Sequence, residues 1–212
     1  MSGHASPDTP LIARPDQAGT AITLPGAGGG ALLIIDMVSL MDFETAGDIA
    51  TSALAAARHI RDLRRHCHER GLPVIFANDN FSRWQADFRE LVAMAKARGG
   101  TAAAIIELLP PLPQDYFVLK PKHSAFLASP LPVLLTKLAV RRLLITGMAL
   151  ESCVLATALD AKAHEFEVAI VRDAVAGLDE LHEATLGVLE RTEAATLVNA
   201  DHAIDWATTR EQ

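Results

Sequence analysis

Three residues of different chemistry, Asp36, Lys120 and Cys153, stand at or just past the ends of short apolar runs. A carboxylate can take a proton, and an ammonium can hold developing negative charge. A thiol can attack a carbonyl carbon once its own proton has gone. The runs are residues 31–35, 116–119 and 143–145, the last followed by Thr146-Gly147, a turn, and Cys153 where a helical pattern opens. Singly, each residue has a plain alternative. Asp36 can cap a turn, Lys120 can be a strand-end charge, and Cys153, flanked by Val154, can be a small buried hydrophobe. Topology is what would join them. If the runs are parallel strands, all three ends fall on one sheet edge, where open α/β sheets bind ligands. A helix start beside Cys153 also favours a thiolate, through free N–H groups and the positive end of the dipole.

The elements that must position these residues alternate along the chain. Apolar runs at 31–35, 74–77, 116–119, 143–145, 168–171 and 195–198 read as strands. Between and after them, helical patterns cover 47–70, 81–99 (with a loop first), 105–109, 130–139, a stretch opening at Cys153, 179–193, and a last turn or two holding Ile204 and Trp206. In the first helix Ile49, Leu54, Ile60 and Leu63 form an apolar stripe, and Arg58, Arg61, Asp62, Arg64 and Arg65 a solvated face. Gly71-Leu72-Pro73 stops it. Such alternation predicts an α/β fold, a parallel sheet covered by helices on both faces. Nothing repeats internally, so residues 26–212 are expected to form one domain. Residues 1–25 lack an apolar period and are expected to be an arm, flexible or lying on a partner subunit. The glycine-rich stretch Gly26 to Gly30 precedes a strand rather than following one, so it reads as a lead-in and not a phosphate loop.

Composition excludes several classes of function. A formal charge of −7 with acids and bases interspersed gives no support for nucleic-acid binding. No apolar run approaches membrane-spanning length. Two cysteines and no secretory apolar segment point to free thiols and a cytoplasmic protein. His66-Cys67-His68 looks like a metal cluster, but neighbours on a helix point in different directions, so structural or surface roles are expected. Asp173 is expected to cap the segment after the fifth strand rather than line the crevice.

The stretches ALLIIDM (31–37), LKPKHSAF (119–126) and ITGMALESCVLATALDA (145–161) resemble, in order and spacing, the motif blocks of the isochorismatase-like cysteine hydrolases. These include nicotinamidases, N-carbamoylsarcosine amidases, ureidoacrylate amidohydrolases and isochorismatases. The resemblance runs from about residue 31 to about 200. It implies a three-layer αβα sandwich around a six-stranded parallel sheet, with Asp36, Lys120 and Cys153 as catalytic triad. It further implies a cis peptide at Met148–Ala149 and an oxyanion hole from the Ala149 and Cys153 N–H groups. The implied reaction is cleavage of a C–N bond in a small amide, carbamoyl or ureido substrate through a Cys thioester. The alternatives are vinyl-ether hydrolysis and a catalytically idle, small-molecule-binding relative. A homodimer or homotetramer is expected on the same ground.

The sequence departs from the family pattern in places. Nicotinamidases carry an Asp-x-His metal site past the second strand. Here Phe81 takes the place of the first His and no His follows until His123, so no metal or other cofactor is expected. Glu151 replaces the usual Asp two residues before the Cys and is expected to be a helix N-terminal acid. Met41 replaces a common Phe, with Phe43 two residues on. Phe43, Asn80, Trp84, His123 and Phe126 are substrate-pocket candidates by position alone, and Trp84 can equally be core.

Overall fold

Continuous apolar runs are the pattern of strands buried on both faces, and the computed structural model, which describes residues 29–209, places them so. Six strands, β1 (Gly29–Ile35), β2 (Val74–Asp79), β3 (Tyr116–Lys120), β4 (Val140–Met148), β5 (Glu167–Ala176) and β6 (Thr196–Val198), form one sheet. Its order is β3-β2-β1-β4-β5-β6 and every pairing is parallel. Seven helices flank it: α1 (Ala50–Glu69), α2 (Phe88–Arg98), α3 (Gly100–Leu108), α4 (Leu131–Lys137), α5 (Leu155–Ala163), α6 (Asp179–Arg191) and α7 (Ala200–Thr208). The arm expected over 1–25 lies outside the described residues.

The sheet divides the core by strand alternation. Leu32 and Ile34 of β1 pack with α1, α2, α3 and α7, whereas Ala31, Leu33 and Ile35 pack with α4, α5 and α6. On α1, Ala53, Ala56, Ala57, Ile60, Leu63 and Cys67 are buried at helical spacing. Gly71, with φ of 68°, then turns the chain after that helix as expected.

Some expectations are corrected. Gly29 and Gly30 belong to β1 rather than to a lead-in, because α7 packs tightly there: a Cβ on Gly30 would lie 2.8 Å from the Ala207 carbonyl oxygen. Arg64 is buried, not on the solvated face, because Asp115 and the Pro110 carbonyl receive its guanidinium. The helix expected over 105–109 begins at Gly100, where a run of alanines continues it backward. Strand β5 runs on to Ala176, so Asp173 lies within it and not at its end. The Asp173 carboxylate accepts the Ala200 N–H at 2.9 Å and so caps α7, a helix farther along the chain than expected.

Candidate active site

The order of the strands makes the site. β1 leads to β2 and β3 on one side, while β4 lies on the other side of β1 and leads to β5 and β6. Chain connections therefore diverge between the carboxyl ends of β1 and β4, and such a switch point opens a crevice. Asp36 follows β1 directly. Its φ of 52° is in the left-handed region, which Asp tolerates better than most residues. The backbone N–H of Asp79, at the end of neighbouring β2, donates to Asp36 Oδ1 at 2.7 Å.

Lys120 ends β3, two strands from β1, a separation of about 10 Å across the sheet. A long side chain is needed to cross that gap above β2. Its Nζ lies 2.8 Å from Asp36 Oδ2 and 3.5 Å from Cys153 Sγ, and it donates to the Lys122 carbonyl at 3.1 Å. The lysine is fully enclosed, whereas the aspartate side chain keeps 13% of its surface open.

Cys153 is delivered by a backbone device at the end of β4. Gly147 adopts φ of 106° with β1 so close that a Cβ would sit 2.0 Å from the Ile35 carbonyl oxygen, so only glycine fits. The Met148–Ala149 peptide bond is cis. A π-helical turn, Leu150–Val154, then opens α5 three residues before the expected start. Both the Ser152 and Val154 N–H groups donate to the Ala149 carbonyl at 3.1 Å. Glu151 begins that turn as an N-terminal acid, yet its Oε2 is engaged elsewhere, accepting the Leu178 N–H at the entrance to α6.

The electrostatics correct one expectation. Burial, together with the facing Asp36 carboxylate, pushes the Cys153 thiol up to about 12, and Lys120 only partly offsets this. Cys153 at rest is therefore a neutral thiol, despite its place in a helix's first turn. Burial also raises Asp36 above the ordinary carboxylate value, Lys120 opposing incompletely. Burial disfavours the Lys120 ammonium, but attraction to Asp36, Cys153 and Asp79 outweighs it and the net direction is upward. The result is a buried ion pair whose carboxylate is a stronger base than a solvated one, set against an un-ionised thiol.

Of the pocket candidates, only His123 is brought to the sulfur. Its Nδ1 lies 3.7 Å from Cys153 Sγ and 3.2 Å from Ser152 Oγ. Asn80 is buried, its N–H on the Lys120 carbonyl and its Oδ1 on the Ser82 N–H, so it secures the strand ends. Phe126 is buried against His164 and Phe166, at the far end of α5 from Cys153, and so belongs to the core. Phe43 is exposed on the turn after β1. Trp84 is 77% exposed and is not core. It lines an open cavity of about 740 Å³ with Arg83, Gln85 and Met94, and none of Asp36, Lys120 and Cys153 borders that cavity. Ser152 and Asp79 were not singled out from the sequence. Ser152 is legible only as the neighbour of the Cys, and nothing local marks Asp79 as the residue that orients Asp36.

Among the described residues no group of three or more His, Cys, Asp or Glu side chains is arranged to hold a metal ion. No helix there is long and apolar enough to cross a membrane.

Comparison with known proteins is consistent with this geometry. The isochorismatase domain model matches residues 30–201. The uncharacterized isochorismatase family protein YaaI of Bacillus subtilis (strain 168) is 35% identical over 176 residues, covering 82% of this chain and 96% of YaaI. Ureidoacrylate amidohydrolase RutB of Enterobacter sp. (strain 638) is 29% identical over 134 residues, 63% of this chain and 54% of RutB. Among solved structures, N-carbamoylsarcosine amidase from Thermoplasma acidophilum superposes with a TM-score of 0.63 at 23% identity. That match covers 82% of this chain and 97% of the amidase and is a likeness of fold.

Proposed function

This chain belongs to the isochorismatase family of hydrolases, and from that premise we propose that it cleaves the C–N bond of a small amide, carbamoyl or ureido substrate through a thioester on Cys153. The observation that carries the reading is the contact of a carboxylate, an ammonium and a thiol in one crevice, with Lys120 Nζ 2.8 Å from Asp36 and 3.5 Å from the sulfur. The names of two similar proteins, a ureidoacrylate amidohydrolase and an N-carbamoylsarcosine amidase, support amide chemistry.

The thiol is neutral at rest, so it must lose its proton as it attacks. Asp36, raised by burial, takes that proton while Sγ bonds to the carbonyl carbon. Lys120 holds the carboxylate in place and faces the sulfur as negative charge develops there. The N–H groups of Ala149, just before the π turn, and of Cys153, within it, receive the oxyanion, each such donor being worth about 3 kcal/mol or more. Asp36 then gives its proton to the leaving nitrogen, the C–N bond breaks, and the acyl group remains on sulfur. Water cleaves the thioester, releasing the acid and restoring the thiol.

The test is a panel of amides, carbamoyl compounds and ureides scored for ammonia or amine release, with isochorismate included and scored for pyruvate release. Active compounds are then run against Cys153→Ala and Cys153→Ser. Release abolished in both variants, with the thioester trapped on Cys153 of the parent protein, is the expected result. Full turnover in Cys153→Ala would sink the thioester mechanism. Turnover of isochorismate alone would replace it by vinyl-ether hydrolysis.

A further inference from the structure

Each turnover needs two proton relays at the sulfur, one for acylation and one for hydrolysis. The first serves the thiol and the leaving nitrogen, and Asp36 reaches it from within, held by the enclosed Lys120 and by the Asp79 N–H. The second serves the water that cleaves the thioester, and that water enters from solvent. The mouth side of the sulfur is occupied by His123 and Ser152. His123 is exposed, on the loop after β3, with Nδ1 3.7 Å from Cys153 Sγ and 3.2 Å from Ser152 Oγ. Ser152 Oγ is itself 4.0 Å from Sγ.

We propose that His123 is a further catalytic residue, the proton carrier for thioester hydrolysis, assisted by the Ser152 hydroxyl; this rests on the thioester reading above. In the step, a water oxygen bonds to the thioester carbon and its proton passes to His123 Nδ1. The C–S bond then breaks, its electron pair stays on Sγ, and the imidazolium returns the proton to that sulfur. The net change is thioester plus water giving acid plus thiol, with His123 restored.

Two observations separate this from a structural role. The hydrogen-bond partners of the His123 ring both belong to the π turn that carries the nucleophile. The loop is held without the imidazole: Thr157 Oγ1 accepts the Ala125 N–H, Ser124 Oγ accepts the Phe126 N–H, and Ser124, Ala125 and Phe126 are all buried. An exposed ring bonded to an adjacent hydroxyl adds little to stability. Its place at the sulfur is the feature that a proton carrier requires.

p-Nitrophenyl acetate is the probe, because release of p-nitrophenolate reports acylation and loss of the acetyl mass from the isolated protein reports hydrolysis. In His123→Ala, the acylation rate and kcat/KM should match the parent while the acetyl-enzyme decays about 10²-fold more slowly, the lower range for loss of a general base. Added imidazole should restore the decay. His123→Asn, which keeps a polar group for Ser152 but cannot take up a proton from water, should behave as His123→Ala. Unchanged decay in His123→Ala would overturn the proposal, as would rescue by Asn, which would mark a positioning role. A fall in the acylation rate would also overturn it, by making His123 the partner of the thiol instead. If the parent protein acquires no acetyl group on Cys153, the failure lies with the thioester reading itself.

Discussion

The two edges of the sheet hold nearly the same set of side chains and do different things with them. At the carboxyl edge stand Asp36, Lys120, His123 and Cys153. At the amino edge stand Asp115, Arg64 and His68, with Cys67 one residue before that histidine at the end of α1. At the amino edge, the polar groups satisfy one another. Asp115 takes His68 Nε2 at 2.8 Å on one oxygen, and Arg64 at 3.3 Å and the Leu112 N–H at 2.7 Å on the other. Arg64 also donates to the Pro110 carbonyl at 2.6 Å. Cys67 lies apart from this network in the apolar core. At the carboxyl edge the thiol is drawn into the charged group, where Lys120 is enclosed while Asp36 and Cys153 keep part of their surface open. Both thiols are pushed up to about 12, so a raised value does not by itself mark a nucleophile. The cause distinguishes them: burial alone for Cys67, burial and a facing carboxylate for Cys153.

Substitutions should break this comparison in a definite order. Cys153→Ala is expected to lower turnover by about 10⁴-fold or more, whereas Cys67→Ala leaves turnover per folded molecule unchanged. Steady-state assays on the two purified variants decide it, and equal losses would erase the distinction between the edges. Asp36→Asn should cost about 10²- to 10⁴-fold in turnover as the proton acceptor disappears. It should also bring the Cys153 thiol down from about 12, because the opposing carboxylate is gone while Lys120 remains at 3.5 Å. Iodoacetamide alkylation of Cys153 against pH, in a Cys67→Ala background, reads this directly. A midpoint that stays put would show that burial alone sets the value.

The amino edge should respond in stability instead. Asp115→Ala leaves the Arg64 guanidinium, its side chain 6% exposed, buried without its carboxylate. Urea unfolding should show a loss of about 3–5 kcal/mol, the usual cost of breaking a buried pair from one side, with turnover of the folded fraction intact. The last effect is confined to alkali. Cys67 ionises at about 12 in the folded protein, against an ordinary value of 9.0. The unfolded chain thus loses its proton first. The stability contributed by the buried neutral thiol is complete below about pH 9 and is lost as pH rises toward 12, at up to about 1.4 kcal/mol per pH unit. Cys67→Ala should flatten that part of the urea-stability profile relative to the parent. An unchanged slope would mean that Cys67 is not held neutral by burial.

Much of this was legible before the fold was known, because apolar runs and helical periods are local signals. The six strands, the parallel sheet and the positions of Asp36, Lys120 and Cys153 at its carboxyl edge all follow from pattern and spacing. Arg64 was misread because α1 is amphipathic by charge. Only the arrival of Asp115, 51 residues later, makes burial of an arginine tolerable. Position near a motif was equally poor at choosing pocket residues. Phe126, three residues after His123, faces the core against α5, while His123 faces the sulfur. A loop has no fixed period from which side-chain direction can be read.

The sequence by itself determined the element order, the family and the three groups that meet at the crevice, since local periodicity and a run of spaced motifs carry that information. The tertiary structure alone decided the state of those groups. Whether the Cys153 thiol rests neutral depends on the depth of its burial and on a carboxylate more than a hundred residues away in the chain. Desolvation and Coulomb forces act through space, and no local pattern records the distances on which they depend.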